Sequence, residues 1–328
     1  MDYQSDTFIR ALATGDLEAL RAIPKGDLHV HGLCGGTRAA YEAWCGMRFP
    51  PPPEVFADFA DFDHYLLVTL AKPYEALSGE ERARFFNFFF ENTLETAIAD
   101  GVTLMEPSLD AFLVGLYGGD LERYMAAIQG VIDRVLARHP QSALVVRPEL
   151  GMAKGVPLEY LEAWVPPAIS SGFFSSIDLY GDERKGDDAD YVPFYRLAKE
   201  RGLRLKAHAG ELRGPDAVRR AVALFDLDAV QHGISAAEDP ALLDWLAARG
   251  TVLNICPTSN VRLGCVPSIA EHPIALIARA GVPVTVNSDD IVIFDHSTSG
   301  EYLALYRAGV LDARELDAIR VASLRQGR

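Results

Sequence analysis

Short apolar stretches alternate with helical patterns along most of the chain, and polar residues follow each apolar stretch. One predicted strand ends at His31, and seven more are predicted at residues 102–107, 143–150, 174–181, 203–211, 228–233, 251–257 and 282–290. Helical patterns separate them, most clearly near 120–138, 158–171 and 190–201. Strands that alternate with helices in this way pair in parallel through helical crossovers.

Eight such strands predict a closed (β/α)₈ barrel, the TIM barrel of the α/β class. An open doubly wound sheet is the alternative, but no glycine-rich nucleotide-binding fingerprint follows the first strand. Extra helices are predicted over residues 5–22, before the first strand, and over 37–45 and 54–100, after it. The consecutive prolines at 50–53 exclude a helix there and predict an extended loop.

Aromatic residues are concentrated in two blocks of the segment 54–100. The blocks are Phe56, Phe59, Phe62 and Tyr65, and then Phe85, Phe86, Phe88, Phe89 and Phe90. Aromatic clusters are more often core than ligand sites, so both blocks are predicted to be buried. The first block, extended to Leu70, is also a candidate for a hydrophobic wall over an active-site mouth.

Composition indicates a globular protein and excludes two classes of partner. With 328 residues, 49% hydrophobic and 23% charged, the chain can form one large core, and we expect a single domain over residues 1–328. A net charge of −15 argues against nucleic acid and anionic membranes, which need a basic surface. No apolar run approaches roughly 18 residues, and the N-terminus lacks a signal pattern, so we expect a cytoplasmic protein. The four scattered cysteines predict reduced thiols.

The first candidate chemistry lies at the end of the first strand, in His29-Val30-His31. Residues two apart on a strand point to the same face, about 6–7 Å apart at the backbone. Two imidazoles at that spacing can bind one divalent metal ion. Taken alone, such a pair is more often two polar residues on a solvated face, so the metal hypothesis depends on the other strands.

Further polar residues lie at the predicted carboxyl ends of the strands, where TIM-barrel active sites form. They are Glu106 on the second strand, Asp178 and Gly181 on the fourth, His208 and Glu211 on the fifth, His232 on the sixth, and Asp289 and Asp290 on the eighth. Each could be structural in isolation, but together they favour one site at one end of the barrel. The remaining histidines are assigned to the surface or to local packing: His64, His139, His272 and His296.

Three imidazoles and one carboxylate would make a nitrogen-rich site for one zinc ion. The imidazoles belong to His29, His31 and His208, and the carboxylate belongs to Asp289. A catalytic zinc keeps an open position for water and lowers the pKa of that water towards about 7.

The other residues at this end suit proton transfer and substrate binding. His232 can orient the water and accept its proton. Glu211 follows a ligand strand and can donate a proton to the substrate as it is attacked. Asp290 directly follows a ligand and can hydrogen-bond the substrate.

Six segments together carry a family resemblance: PKGDLHVH (24–31), IDLYGDE (177–183), HAGE (208–211), HG (232–233), CPTSN (256–260) and SDD (288–290). In their order and spacing they resemble the adenosine deaminase family of the amidohydrolase superfamily, over about residues 22–307. The resemblance implies a barrel of the metal-dependent hydrolase type with one zinc ion. It also implies hydrolysis of the exocyclic amine of a 6-aminopurine-type ring, with release of ammonia.

The resemblance also implies a role for each matching residue. The zinc ligands would be His29, His31, His208 and Asp289. Glu211 would protonate the ring nitrogen next to the attacked carbon, and His232 would assist the water. Asp290 would bind the far ring nitrogen, and the backbone amide of Gly181 would face the ring.

The chain departs from the family pattern where adenosine-specific members bind the sugar. Family members usually carry Leu, then an acidic residue or Asn, then Gly after the second histidine, and here Gly32-Leu33-Cys34 follows. The acidic residue binds the ribose 5′-hydroxyl in adenosine-specific members, and Leu33 cannot. Two further departures are Ala229-Val230-Gln231, in place of Arg-Ile-Gly, and Ile291, in place of proline. We therefore expect a purine-like small molecule, with adenosine not the best substrate.

Two other functions stay open at this stage. A sibling amidohydrolase could act on another amide or on a phosphoester, but two-metal siblings need a carboxylated lysine level with the metal. Lys206 lies one layer below His208, and we expect it to form a buried ion pair. A barrel that binds a nucleoside or a protein partner without turnover is the other alternative, which Glu211 and His232 argue against. The sequence does not decide whether the protein is a homo-oligomer.

Overall fold

A computed structural model describes residues 4–326 of the protein. Its strands are β1 (Lys25–His31), β2 (Val102–Asp110), β3 (Val145–Val146), β4 (Glu149–Ala153), β5 (Ser176–Tyr180), β6 (Arg204–Ala209), β7 (Ala229–His232), β8 (Val252–Ile255) and β9 (Val284–Val286). Eight of them are neighbours in the order β1-β2-β4-β5-β6-β7-β8-β9, and the short β3 pairs with β2. All of these pairs are parallel.

The segment that follows β9 returns to β1 and brings the two edges of the sheet together. Val30 and Asp289 form a parallel bridge, and the Asp289 N–H donates to the His29 carbonyl at 3.1 Å. The predicted TIM barrel is thereby confirmed. Its closure places Asp289, which follows the last strand, beside His29 and His31 of the first strand.

Helices follow the strands on the outside of the barrel, and further helices precede and follow β1. They are α1 (Ser5–Thr14), α2 (Leu17–Arg21), α3 (Arg38–Cys45), α4 (Phe59–His64), α5 (Lys72–Glu75), α6 (Gly79–Ala99), α7 (Leu121–Arg138), α8 (Leu158–Ser170), α9 (Val192–Glu200), α10 (Pro215–Phe225), α11 (Pro240–Arg249), α12 (Pro257–Arg262), α13 (Ile274–Arg279), α14 (Ile291–Phe294), α15 (Thr298–Arg307) and α16 (Ala313–Ser323). A π-helical turn occupies Tyr65–Leu70. The extra helices predicted before and after the first strand are confirmed. None of the helices described could span a lipid bilayer.

The first predicted helix, over residues 5–22, is wrong as a single element. Gly15 adopts a left-handed conformation, with φ 68°, and ends α1. Asp16 then caps α2, because its side chain accepts a hydrogen bond from the Ala19 N–H. Glycine is the preferred residue after a helix and aspartate the preferred cap before one, so this dipeptide separates two helices.

The second and third strands reach further than predicted. Pairing of β2 with β1 and β4 continues past Pro107 to Asp110, so Glu106 lies inside the barrel instead of at its end. The prediction for Glu106 is therefore wrong, and Asp110 takes the end position. The third strand, predicted at 143–150, is interrupted at Pro148, which lacks a backbone N–H, and its main part is β4.

Lys206 lies inside the barrel and is fully buried. Its Nζ is 2.6 Å from Glu106 Oε2 and 2.5 Å from Glu149 Oε2. Burial opposes its charge, but the two carboxylates outweigh this effect and raise the pKa of Lys206 above its ordinary value. The expected buried ion pair is confirmed, and it links β6 to β2 and β4.

Phe86 and Phe90 of the aromatic blocks belong to the main core, and the other aromatic residues of the blocks contribute to a second hydrophobic cluster beside it. Its buried members include Tyr41, Phe56, Phe59, Phe62, Tyr65, Phe85 and Phe89. Phe62 stacks on Phe294 of α14, with ring centroids 6.0 Å apart. Since α14 directly follows Asp290, the first aromatic block packs against the segment that carries the aspartate pair. All four cysteines of the chain, which lie within the described range, are unpaired.

Candidate metal centre and active site

The carboxyl end of the barrel brings three imidazoles together. His29 and His31 come from β1 and have ring centroids 5.8 Å apart. His208 comes from β6 and lies 4.7 Å from His29 and 5.6 Å from His31, centroid to centroid. One ring nitrogen of each histidine lies within 4.8 Å of one from each of the others. The three histidines, predicted on two separate strands, therefore face one point.

Asp289 supplies a carboxylate to the same point. Its Oδ1 atom is 3.7 Å from His29 Nε2 and 3.6 Å from His31 Nε2. Asp289 and His232 both have positive φ angles, 61° and 63°, which are uncommon for residues other than glycine. Such conformations cluster at functional sites, where surrounding contacts hold them.

Two of the imidazoles have one nitrogen engaged and the other facing the site. The Nδ1 atom of His29 lies 3.3 Å from the Asn254 carbonyl, and that of His208 lies 3.2 Å from Asp178. Burial, together with the neighbouring imidazoles, lowers the pKa of both histidines well below the ordinary value. Both rings are therefore neutral, with Nδ1–H donating and the Nε2 lone pair free to ligate.

A divalent metal fits this arrangement. His29 Nε2 is buried and has no hydrogen-bond partner among the described residues, which is costly unless a ligand occupies it. Donor atoms within about 4 Å of each other suit ligands at about 2.0–2.1 Å from one ion, and imidazole with carboxylate is a zinc donor set. Cys256 also lies near His29 and His232, but burial raises the pKa of its thiol well above normal and disfavours the thiolate.

Glu211 lies in the loop after β6, with a nearly buried carboxyl group. Its Oε1 atom is 3.5 Å from His232 Nε2 and 3.5 Å from Asn260 Nδ2. Burial, with the negative charges of Asp289 and Glu183, raises the pKa of Glu211 well above its ordinary value. Burial therefore favours the protonated form of this carboxyl group, which is the form that a general acid needs.

Glu183 holds the backbone of this loop and was not predicted as a site residue. Its carboxylate accepts hydrogen bonds from the N–H groups of Gly210, Glu211 and Leu212, at 2.8, 2.8 and 2.9 Å. The residue lies in the IDLYGDE segment, which singled out Gly181 but not its final acid. A carboxylate beside a predicted strand end was the only available signal, and it did not distinguish Glu183 from Asp182.

His232 ends β7 and lies beside Asp289, with its Nε2 3.9 Å from Asp289 Oδ2. On its other side, His232 Nδ1 is 3.1 Å from Asn260 Nδ2, and Asn260 Oδ1 is 3.2 Å from His272 Nε2. The assignment of His272 to local packing agrees with its burial, at 4% exposed. Neither its link to His232 nor the role of Asn260 in the CPTSN segment was predicted.

The predicted substrate-binding residues surround the same end of the barrel. Asp290 is buried, its Oδ1 has no described partner, and burial raises its pKa to about 7. Leu33 lies in the turn after β1, partly buried against both hydrophobic clusters. Gly181 directly follows β5 with φ 96°, a conformation that favours glycine.

Two residues at the mouth were missed. The Tyr180 hydroxyl donates to Asp110 Oδ1, and the Tyr180 ring lies 4.9 Å from the His31 ring, centroid to centroid. Asp110 was missed because the predicted second strand ended too early. Tyr180 was missed because it shares its strand face with Asp178, and the alternation alone predicts no contact with His31.

Comparisons with known proteins identify relatives by sequence and by fold. The model of the adenosine deaminase family matches residues 54–327, a range that begins after β1. A Treponema pallidum protein provisionally named adenosine/adenine deaminase is 31% identical over 303 residues, 92% of this chain and 98% of that protein. Adenine deaminase from Arthrobacter aurescens superposes with a TM-score of 0.78 at 23% identity, covering 92% and 93% of the two chains. A Burkholderia ambifaria amidohydrolase with bound Zn superposes with a TM-score of 0.72 at 18% identity, covering 99% and 88%.

Proposed function

The chain belongs to the adenosine deaminase family, and from this premise we propose that it is a zinc-dependent enzyme that deaminates a 6-aminopurine-type substrate. The relative from Treponema pallidum is named for adenosine and adenine, and a similar fold from Arthrobacter aurescens is an adenine deaminase. One observation carries the proposal. His29 Nε2 is buried without a hydrogen-bond partner among the described residues, and Asp289 lies beside both this nitrogen and His31 Nε2.

One zinc ion per chain would be held by three imidazoles and one carboxylate, those of His29, His31, His208 and Asp289. The zinc in a neighbour with the same fold is consistent with this choice. When bound, such an ion lowers the pKa of a coordinated water and so makes it a nucleophile at neutral pH.

Proton supply to the substrate falls to Glu211. Burial favours the protonated form of its carboxyl group, which can give its proton to the ring nitrogen beside the attacked carbon. Protonation there makes the carbon more electrophilic. The net reaction adds one water and releases one ammonia, which leaves a 6-oxopurine.

Residues around the proposed metal ligands would orient the purine ring of the substrate. The unpartnered Asp290 Oδ1 is buried, and a carboxyl group with a pKa of about 7 can donate to the far ring nitrogen. The backbone amide of Gly181 would face the same ring. His232, 3.5 Å from Glu211 and 3.9 Å from Asp289, is placed to contact the attacking water.

The substrate's distal group faces an apolar side chain. Leu33 is packed against both hydrophobic clusters and offers no acceptor for a ribose 5′-hydroxyl. Burying that hydroxyl without a partner would cost about 1–3 kcal/mol. Adenine, or a nucleoside with an apolar group in place of the hydroxyl, should therefore be a better substrate than adenosine.

Ammonia release from a panel of aminopurines tests this function. The panel is adenine, adenosine, deoxyadenosine, 5′-deoxyadenosine, 5′-methylthioadenosine, methylated adenines and aminofutalosine-like nucleosides, each assayed for kcat/KM with zinc-loaded protein. We expect turnover of at least one member, with adenosine below the best. Clear preference for adenosine would refute the Leu33 argument, and no turnover of any member would refute aminopurine deamination.

A further inference from the structure

His232 has two ring nitrogens with opposite capabilities. In a neutral imidazole one nitrogen donates a hydrogen bond and the other accepts one, so a partner on either nitrogen decides the state of both. The Nε2 atom of His232 faces Glu211 and Asp289, at 3.5 and 3.9 Å, while its Nδ1 contacts Asn260.

The state of these nitrogens can be traced from a backbone amide outside the site. The N–H of Ile274 points at His272 Nδ1, with a distance of 3.1 Å. A backbone N–H can only donate, so His272 Nδ1 accepts. Burial lowers the pKa of His272 to about 4, which keeps this ring neutral at neutral pH. The single ring proton of His272 is therefore on Nε2.

Asn260 passes this constraint to His232. His272 Nε2–H lies 3.2 Å from one side-chain atom of Asn260, which must be the acceptor Oδ1. The other atom is then the donor Nδ2, 3.1 Å from His232 Nδ1 and 3.5 Å from Glu211 Oε1. Since an amide NH₂ group can only donate, His232 Nδ1 accepts, and the proton of His232 is on Nε2.

We propose that His272 and Asn260 are positioning residues that hold His232 in its Nε2–H tautomer. This inference rests on the proposed deamination. In this tautomer His232 donates a hydrogen bond to the attacking water oxygen, and its lone pair is turned away from the reaction. His232 therefore orients the water without accepting its proton, which narrows the two roles that the sequence allowed.

A substitution of Asn260 can reverse the tautomer of His232 with little change in side-chain shape. In Asn260→Asp both terminal atoms accept, so His232 must carry its proton on Nδ1 and present its lone pair to the site. His272→Gln keeps a donor near the position of Nε2, whereas His272→Leu removes it. His139, a partly buried histidine on the outside of the barrel that pairs with Glu95, provides the control His139→Leu.

Nitrogen-15 NMR of the imidazole side chains reads the tautomer directly, with ring-labelled histidine in the zinc-loaded protein. We expect a protonated Nε2 and an unprotonated Nδ1 for His232 in the wild type and in His272→Gln. Asn260→Asp should show the reverse. A wild-type His232 protonated on Nδ1, or on both nitrogens, would overturn the proposal.

Turnover and zinc content are measured on the same proteins with the best aminopurine. We expect kcat to fall about 10–100-fold in Asn260→Asp and in His272→Leu, with KM and zinc content almost unchanged. His272→Gln and His139→Leu should keep kcat near the wild-type value. Wild-type kcat in an Asn260→Asp protein with a reversed tautomer would overturn the proposal. If the wild type deaminates no aminopurine, the proposed function fails, while the NMR spectrum still decides the tautomer.

Discussion

At the scale of single residues, the site depends on carboxyl groups that are buried close together. Burial raises the pKa of Asp178, Asp289 and Asp290 to about 7, and that of Glu211 well above its ordinary value. The four groups are nonetheless not equivalent. Asp178 lies within hydrogen-bond distance of His208, Asp289 faces two imidazoles, Asp290 Oδ1 has no hydrogen-bond partner among the described residues, and Glu211 lies beside His232.

Glu211→Gln separates proton donation from shape. The amide has nearly the size of the carboxyl group but cannot deliver a proton, a role worth roughly 10²–10⁴-fold in rate. We expect zinc content and KM to change little while kcat falls by that factor. His208→Ala is the contrasting variant, which should lose zinc. A near-normal rate for zinc-loaded Glu211→Gln would show that another group is the proton donor.

The buried, neutral ring of His272 should make the stability of the folded protein depend on pH. Burial lowers its pKa from 6.5 to about 4, so the folded state favours the neutral ring. That stabilisation is fully present above pH 6.5 and is lost as the pH falls through 4, by about 3 kcal/mol. Urea unfolding of metal-free protein at pH 7 and pH 4 should show the wild type losing about this much more than His272→Gln. Equal losses in the two proteins would contradict the burial of an uncharged His272.

At the scale of elements, a site residue could be predicted from the sequence only where the end of its strand was predicted correctly. Alternation in Leu28-His29-Val30-His31 placed both imidazoles on one face, and the structure agrees. The second strand was predicted to end at residue 107, yet its partners β1 and β4 supply the pairing that carries the strand to Asp110. A local sequence pattern does not show which distant segments pair or contact each other. The positions of Asp110 and Glu183 at the site could therefore not be predicted from the sequence.

The same limit applies to His272 and Asn260. Their hydrogen bonds join positions 12 and 28 residues apart in the chain. A histidine after a glutamate, and an asparagine inside a short helix, have common local explanations. Only the folded structure shows that the hydrogen bonds of His272 and Asn260 lead to His232 at the site.

Lys206 joins four strands of the barrel, which makes it the clearest test at this scale. Its Nζ contacts Glu106 of β2 and Glu149 of β4 and donates to the Leu28 carbonyl of β1 at 3.2 Å. Lys206→Met leaves Glu149 without its cation, and it leaves Glu106 with only the more distant Arg204 and Arg147, at 3.6 and 3.8 Å. We expect a loss of about 3–5 kcal/mol in the free energy of unfolding.

The double variant Lys206→Met/Glu106→Gln is the matched control for this prediction. Removing one of the stranded carboxylates should restore part of the loss. Urea unfolding at pH 7 measures both variants. A Lys206→Met protein as stable as the wild type would mean that the lysine does not stabilise the barrel.

At the scale of the whole molecule, we propose that residues 1–328 form one domain. The main hydrophobic cluster runs from Phe8 of α1 to Ile319 of α16, and the aromatic cluster shares Leu33 with it. We expect one cooperative thermal unfolding transition, seen alike by far-UV and near-UV circular dichroism. Two separate transitions would indicate that the helices between β1 and β2 unfold independently of the barrel.

At this scale the proposed function depends on one metal ion, which residues of β1, β6 and the segment after β9 would hold at one end of the barrel. Zinc titration of metal-free protein, with ammonia release from the best aminopurine as the signal, tests this most directly. We predict no release without metal, a linear rise with added zinc, and a break at one equivalent per chain. Release that survives without metal, or a break at two equivalents, would contradict the account.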